Sequence, residues 1–94
     1  MTMTFSNQSH GEVYFIGARR IDAPVKIGFT TGRIEWRLKS IQREHDEPIE
    51  VLASFDGTVV DEGRLHMRFA KARLRGEWFT KTPELQKIIA ENTL

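Results

Sequence analysis

Residues 12–37, EVYFIGARRIDAPVKIGFTTGRIEWR, decide the fold of this chain. They contain two apolar runs, residues 13–16 and 25–29, whose β-branched and aromatic side chains predict two strands. The spacer between the runs carries Pro24 and is shorter than the roughly dozen residues that a parallel crossover needs. This stretch therefore predicts an antiparallel hairpin with a long loop.

The segment that follows, residues 33–45, changes to a helical period. Apolar residues recur there at i, i+4 and i+7, as on one side of a helix; they are Ile34, Leu38 and Ile41. At 100° per residue, Arg37 lies at the edge of this stripe and Trp36 projects away from it.

The remaining elements complete a small α+β domain. We expect a third strand over residues 49–55, a helix over 59–71 capped by Thr58, a short extended segment at 77–79 and a final helix that begins at Thr82 and Pro83. The predicted order is β-β-α-β-α-(β)-α, with a mainly antiparallel three-stranded sheet flanked by helices. Residues 1–11 are interpreted as a flexible leader and residues 12–94 as a single domain.

Composition narrows the class of protein. The chain has 94 residues, 39% of them hydrophobic, which indicates one small domain. It contains no cysteine, which excludes disulfides and thiolate metal sites and fits a reducing cytoplasm, the location we expect. No apolar run approaches the roughly 20 residues of a membrane span, and we expect no membrane partner.

Charge is segregated along the chain although the net charge is only +1. Residues 44–62 include seven acids and no lysine or arginine, whereas residues 64–75 include five basic residues and no acid. Such segregation either gives the protein one positive face for a nucleic acid backbone or produces surfaces that pair with each other.

Several side chains have chemistry suited to a phosphate. Glu62 and His66 are at i and i+4 and share a helix side, where the glutamate is either a Mg²⁺ anchor or an ordinary partner of the histidine. Arg37 is either a clamp for phosphate oxygens or a surface arginine. Lys26 points away from its apolar neighbours on its strand, where it either simply faces solvent or binds a phosphate. Tyr14 is either a packing residue or a proton acceptor, the latter if cations lower its pKa from about 10.

The order of the motifs resembles the GIY-YIG nuclease superfamily, in particular its small phage-type branch. The matching motifs are VYFI and KIGFT on the two strands, an arginine nine residues after Gly28, an E-x-x-L-H-x-x-F helix at residues 62–69, and G-E-W-F at residues 76–79. The resemblance covers about residues 12–79. It implies metal-dependent hydrolysis of a DNA phosphodiester bond by water, with little sequence specificity.

By position, the resemblance implies a role for three residues. Tyr14 would lie beside the attacking water, Arg37 would stabilise the pentacovalent phosphate, and Glu62 would hold a single Mg²⁺ or Mn²⁺ ion. Lys26 and His66 are further catalytic candidates, and Glu77 is an accessory one. The expected partner is DNA, or RNA, with a targeting protein or a homodimer selecting the target. Candidate nucleic-acid contacts are Arg33, Arg64, Arg68, Arg73 and Arg75.

The sequence departs from the family pattern at three places. The leading glycine of the first motif is Glu12, the second-motif tyrosine is Lys26, and the asparagine that many members carry is Leu74. These differences keep two other hypotheses open. In the first, the chain is a catalytically degenerate module that binds nucleic acid without cutting it. In the second, it is a protein-interaction adaptor.

Overall fold

The computed structural model describes residues 10–93, so residues 1–9 of the predicted leader lie outside the described part. Gly11, also assigned to the leader, already belongs to the first strand. In chain order the elements are β1 (Gly11–Gly17), β2 (Val25–Thr30), α1 (Ile34–Gln42), β3 (Glu50–Gly57), α2 (Val59–Arg68), a 3₁₀ turn (Ala70–Ala72), β4 (Arg73–Arg75), β5 (Trp78–Phe79) and α3 (Pro83–Glu91).

The strands form one five-stranded antiparallel sheet in the order β3-β1-β2-β5-β4. The predicted α+β class and the β1–β2 hairpin are confirmed. The predicted three-stranded sheet is wrong. β4 has three residues, all exposed, and β5 has only two, so neither shows the alternating run of four to eight residues that marks a strand in a sequence.

One face of the sheet carries the main core, and it packs against α2 and α3. Buried side chains of this face include Val13, Phe15 and Ile27, and they meet Phe69 at the end of α2 and Leu85 of α3. Because side chains alternate along a strand, the residues between them face the other side of the sheet. Tyr14 and Lys26 belong to that second side.

A β-bulge in β3 explains the irregular pattern of that strand. Phe15 pairs with Ala53, but the next residue, Ile16, pairs with Val51, so Leu52 is the extra residue. Leu52 packs against the core instead of continuing the alternation.

α1 lies on the second side of the sheet and buries no residue fully. Its apolar stripe is half-buried, and Trp36 is 71% exposed. The predicted projection of Trp36 away from the stripe is confirmed. No helix in the described part of the chain is long and apolar enough to cross a membrane.

Candidate functional site

A cleft of about 290 Å³ opens on the second side of the sheet, between the β1–β2 hairpin, α1 and α2. Residues from four elements and two turns converge on it, and five of them are candidates from the sequence: Tyr14, Lys26, Arg37, Glu62 and Glu77. Residues far apart in the chain thus share one polar cavity. The structure brings these five side chains together, whereas their chemical roles remain predictions.

Tyr14 owes its position to the glycine opposite it. Tyr14 and Gly28 are partners across the β1–β2 ladder. A Cβ atom on Gly28 would lie 2.3 Å from the Tyr14 Cζ atom and 2.4 Å from its hydroxyl oxygen. The phenol therefore lies across β2 in the space that a side chain at position 28 would fill. Tyr14 is 2% exposed, yet it still lines the cleft. Packing and a chemical role are compatible in this residue.

Glu62 reaches the cleft because the start of α2 is fixed. The Thr58 hydroxyl accepts a hydrogen bond from the Val60 amide, and the Asp61 carboxylate accepts one from the Thr58 amide at 2.8 Å. This capping box sets the first turn of α2. Glu62 follows directly in that turn, with its side chain half-buried at the cleft.

Three side chains form a cluster with the donor atoms of a metal site. Glu62, His66 and Glu77 each have a ligand atom within 4.8 Å of the other two. The His66 side chain does not simply accompany Glu62 on a solvated side of the helix, because it contacts the sheet. Its Nε2 atom lies 2.9 Å from the Ile27 carbonyl oxygen, and its ring contacts Phe79 edge-on, with the ring centroids 5.1 Å apart. Because a carbonyl only accepts, Nε2 carries a hydrogen in this contact, and Nδ1 is the ring nitrogen left for a metal.

The backbone of Ile27 forms hydrogen bonds with two members of this cluster. Its amide donates to the Glu77 carbonyl at 3.0 Å, and its carbonyl accepts from His66. β2 pairs with β5 only at Val25 and Lys26, so these two bonds continue the edge of the sheet beyond β5. Glu77 follows Gly76, whose φ of 50° lies in the left-handed region that favours glycine. The β4–β5 turn thereby positions the second carboxylate.

Lys26 is not a solvent-facing residue. Its side chain is 21% exposed, and its ammonium lies 3.3 Å from the Glu77 carboxylate. The same ammonium lies 5.9 Å from the centroid of the Trp78 ring. Lys26 therefore places a positive charge inside the cleft, beside the carboxylate cluster.

The electrostatics of the cleft oppose ionisation of Glu62 and of Tyr14. Burial raises the pKa of the Glu62 carboxyl above its usual value, and the nearby Glu77 charge raises it further. Burial also raises the pKa of the Tyr14 hydroxyl, while the Arg37 guanidinium lowers it by less. Tyr14 is therefore a neutral phenol at neutral pH. Proton acceptance by Tyr14 would require a lowered pKa, and in the protein alone the pKa of Tyr14 is raised.

Arg37 is exposed at the mouth of the cleft. Neither Arg37 nor Arg33 forms an ion pair with Glu35, Glu44 or any other acid in the described part of the chain. Arg33 lines a neighbouring depression together with Trp36 and Arg37. Both guanidinium groups are thus available to an anionic ligand.

The other predicted nucleic-acid contacts lie outside the cleft. Arg64 and Arg68 point to the side of α2 away from Glu62, because two and six residues along a helix correspond to about 200° and 240°. Arg68 donates to Glu84 of α3 at 2.7 Å. Arg73 lies over the Phe79 ring, 5.3 Å from its centroid, and Arg75 is exposed on β4. Their contacts with nucleic acid remain predictions.

Two supports of the cleft were not found from the sequence. The Gln42 side chain donates to the carbonyls of His45 and Glu47 and accepts from the Ile49 amide, which fixes the loop after α1. His45 then packs on Trp78, with the ring centroids 4.8 Å apart. These contacts join the end of α1 to β5 across the cleft, and no local sequence pattern indicates them.

The fold and the cleft define a class: a small α+β domain that gathers basic side chains and carboxylates in one polar cavity, with an imidazole beside two of the carboxylates. The chain belongs to the T5orf172 domain family, whose model matches residues 8–92. This match corrects the sequence-based assignment to the small phage-type branch of the GIY-YIG superfamily. Membership is consistent with a nucleic-acid-related function. No curated protein and no solved structure matches the chain.

Proposed function

We propose that this protein is a metal-dependent endonuclease that hydrolyses DNA phosphodiester bonds with little sequence specificity of its own. The observation that carries the proposal is the convergence of Tyr14, Lys26, Arg37, Glu62 and Glu77 on one cleft. Hydrolysis of a phosphodiester needs positive charge at the phosphate, an oriented water molecule and a metal ligand. The cleft contains side chains for each of these tasks.

The donor set fits Mg²⁺ or Mn²⁺. Both ions prefer oxygen ligands and keep several waters, and Mn²⁺ also accepts imidazole nitrogen. Glu62 would be the main ligand, with Glu77 and His66 beside it. The raised pKa of Glu62 supports this proposal, because two neighbouring carboxylates are stabilised by a cation between them. When bound, the ion would supply Lewis-acid polarisation of the phosphate.

The basic side chains would bind and polarise the scissile phosphate. Arg37 presents a rigid fork of donors that matches two phosphate oxygens, and Lys26 adds a point charge. The Tyr14 hydroxyl would accept a hydrogen bond from the attacking water and so orient its oxygen towards phosphorus. The bond from water oxygen to phosphorus forms, the bond to the leaving sugar oxygen breaks, and a proton ends on that oxygen.

One observation favours a second function, namely nucleic-acid binding without cleavage. The Lys26 ammonium is already paired with Glu77 at 3.3 Å. A lysine in this position neutralises part of the charge that would attract a metal. In this alternative, affinity comes from phosphate contacts alone, depends on salt and needs no metal.

A plasmid assay separates the two functions. Supercoiled DNA is incubated with the protein in Mg²⁺ or Mn²⁺, and nicked and linear products are measured for the wild type, Glu62→Gln and Met67→Ala. Met67 is 80% exposed and is absent from the cleft lining, so its variant controls for purification and folding. We expect nicking by the wild type and by Met67→Ala only. Equal background nicking by the wild type and Glu62→Gln excludes the endonuclease.

A further inference from the structure

Trp36 is a large aromatic side chain that the fold leaves uncovered. It lies in the first turn of α1, is 71% exposed, and takes no part in the half-buried apolar stripe of that helix. A tryptophan normally buries much of its large surface in a core or at an interface. We therefore expect a ligand or partner to cover the face of this exposed indole.

The surroundings of Trp36 are basic. Arg33, Lys39 and Arg43 are three residues before, three after and seven after Trp36, which places them on its side of the helix. None of the three forms an ion pair with an acid in residues 10–93. Two acids are close to them in sequence: Glu35, which lines the same depression as Trp36, and Glu44, which follows Arg43. An indole flanked by unpaired cations is complementary to a base attached to a phosphate backbone.

This surface is continuous with the cleft. Trp36 separates two shallow depressions on α1 and lines both of them. Arg37 lines one depression and also the cleft, while Ser40 lines the other depression and also the cleft. A strand whose phosphate sits at Arg37 thus brings an adjacent nucleotide to the indole.

We propose that Trp36 stacks on an unpaired base next to the phosphate held in the cleft, so that the preferred substrate is DNA with single-stranded nucleotides at the cutting position. This inference rests on the proposed nuclease function and adds the substrate class to it. Base pairs inside a duplex have both faces covered by their neighbours, so a surface indole gains a face to stack on only where the base is unpaired. Arg33, Lys39 and Arg43 would contact the phosphates of that single strand.

Binding without metal tests the proposal directly. The dissociation constants of a labelled single-stranded oligonucleotide and of the matching duplex are measured in EDTA, for the wild type, Trp36→Ala, Trp36→Phe and Met67→Ala. We expect the wild type to prefer the single strand. Trp36→Ala should weaken single-strand binding by about 5- to 150-fold, the range for one stacked base, and should lower the ratio of single-strand to duplex affinity. Trp36→Phe should keep most of this ratio, and Met67→Ala all of it.

An abasic strand isolates the stacking contact. Removing the bases from the single strand should weaken binding by the wild type, and Trp36→Ala should then have no further effect. The proposal is overturned if Trp36→Ala weakens single-strand and duplex binding by the same factor. That result is expected if the indole inserts into a duplex or if the substitution unfolds α1. It is equally overturned if the abasic strand still responds to the substitution.

Cleavage of the same substrates separates this inference from the proposed function. If the wild type and Glu62→Gln do not differ in cleavage of any substrate, the nuclease is excluded, and with it the inference about its substrate. If the wild type cleaves but its preference for unpaired DNA is unchanged in Trp36→Ala, only the inference about Trp36 fails.

Discussion

At the scale of single residues, Tyr14 and Gly28 are the pair on which the cleft depends most. The phenol lies where a Cβ atom of residue 28 would be, so the glycine is required by close packing. Tyr14, Arg37 and Glu62 were candidates in the sequence because tyrosine, arginine and glutamate suit phosphate chemistry. The order of the motifs then implied a role for each of them, and these roles remain predictions. The raised pKa values were not predictable, because they arise from burial and from Glu77, which is distant in sequence.

Gly28→Ala should displace the Tyr14 ring. The added Cβ would lie 2.3 Å from Tyr14 Cζ, so the ring or the strand must move. We expect a loss of about 1–3 kcal/mol in the free energy of unfolding, as for overpacking of a core, together with a large loss of cleavage. Chemical denaturation and the cleavage rate measure the two effects. Tyr14→Phe is the control, since it should reduce cleavage while leaving the strand in place. An alanine variant with wild-type stability and rate would contradict this packing.

Glu62→Gln should stabilise the folded protein at neutral pH in EDTA. Burial and Glu77 raise the pKa of Glu62 above the ordinary value of 4.5, so the folded state binds this proton more tightly than the unfolded state does. Stability is therefore lost as the pH rises from about 4.5 through the folded-state pKa. The glutamine variant avoids that loss, and its advantage should vanish below pH 4.5. Thermal unfolding over this pH range is the measurement. A variant less stable than the wild type at neutral pH would refute the assigned direction.

At the scale of elements, α2 has the largest role in the site. It carries Glu62 and His66 towards the cleft and ends on the buried Phe69. The helices were predictable because their caps are local signals, and Thr58 and Thr82 both cap as expected. β5 was predicted only as a short extended segment at 77–79, and β4 and the bulge at Leu52 were not predicted. Pairing with neighbouring strands creates these features, and no local pattern indicates such pairing.

Gly63→Ala should strengthen α2. A Cβ atom on Gly63 would meet nothing within 4 Å, and alanine is favoured over glycine in a helix by about 0.5–1 kcal/mol. For a domain of this size, that corresponds to a rise in Tm of roughly 2–8 °C. Cleavage should persist, because the substitution points away from the cleft lining. Calorimetry measures the first effect and the plasmid assay the second. A lowered Tm would contradict the prediction that the glycine weakens α2.

At the scale of the whole molecule, the site is a product of topology. Its residues span positions 14 to 77 and meet only because β1 and β2 are central, with α1 and the β4–β5 turn bordering one cleft. Sequence spacing indicates which residues share an element, but it does not show that Lys26 contacts Glu77 or that His45 contacts Trp78. The same limit applies to charge. The basic run at residues 64–75 is conspicuous in the sequence, yet the cations that line the cleft are Lys26 of β2 and Arg37 of α1, and the basic side chains next to them follow α1.

The salt dependence of DNA binding should distinguish these two groups of cations. Each phosphate contact contributes about 0.7–0.9 to the slope of log affinity against log salt concentration. We expect Arg43→Ala to reduce the slope by about that amount. Arg68→Ala should change it less, because Arg68 is paired with Glu84. Titrations at several salt concentrations provide the slopes. A larger effect of Arg68 than of Arg43 would place the DNA on α2 instead of α1.

The central claim is that the Glu62 cleft hydrolyses DNA with the help of a divalent metal. The single-turnover cleavage rate of a labelled oligonucleotide, measured against Mn²⁺ concentration for the wild type and Glu62→Gln, tests it most directly. We expect a wild-type rate that rises to saturation with Mn²⁺, disappears in EDTA, and falls by about 100-fold or more in Glu62→Gln, the loss typical of removing one transition-state contact. A rate that is independent of metal, or equal in the two proteins, would contradict it.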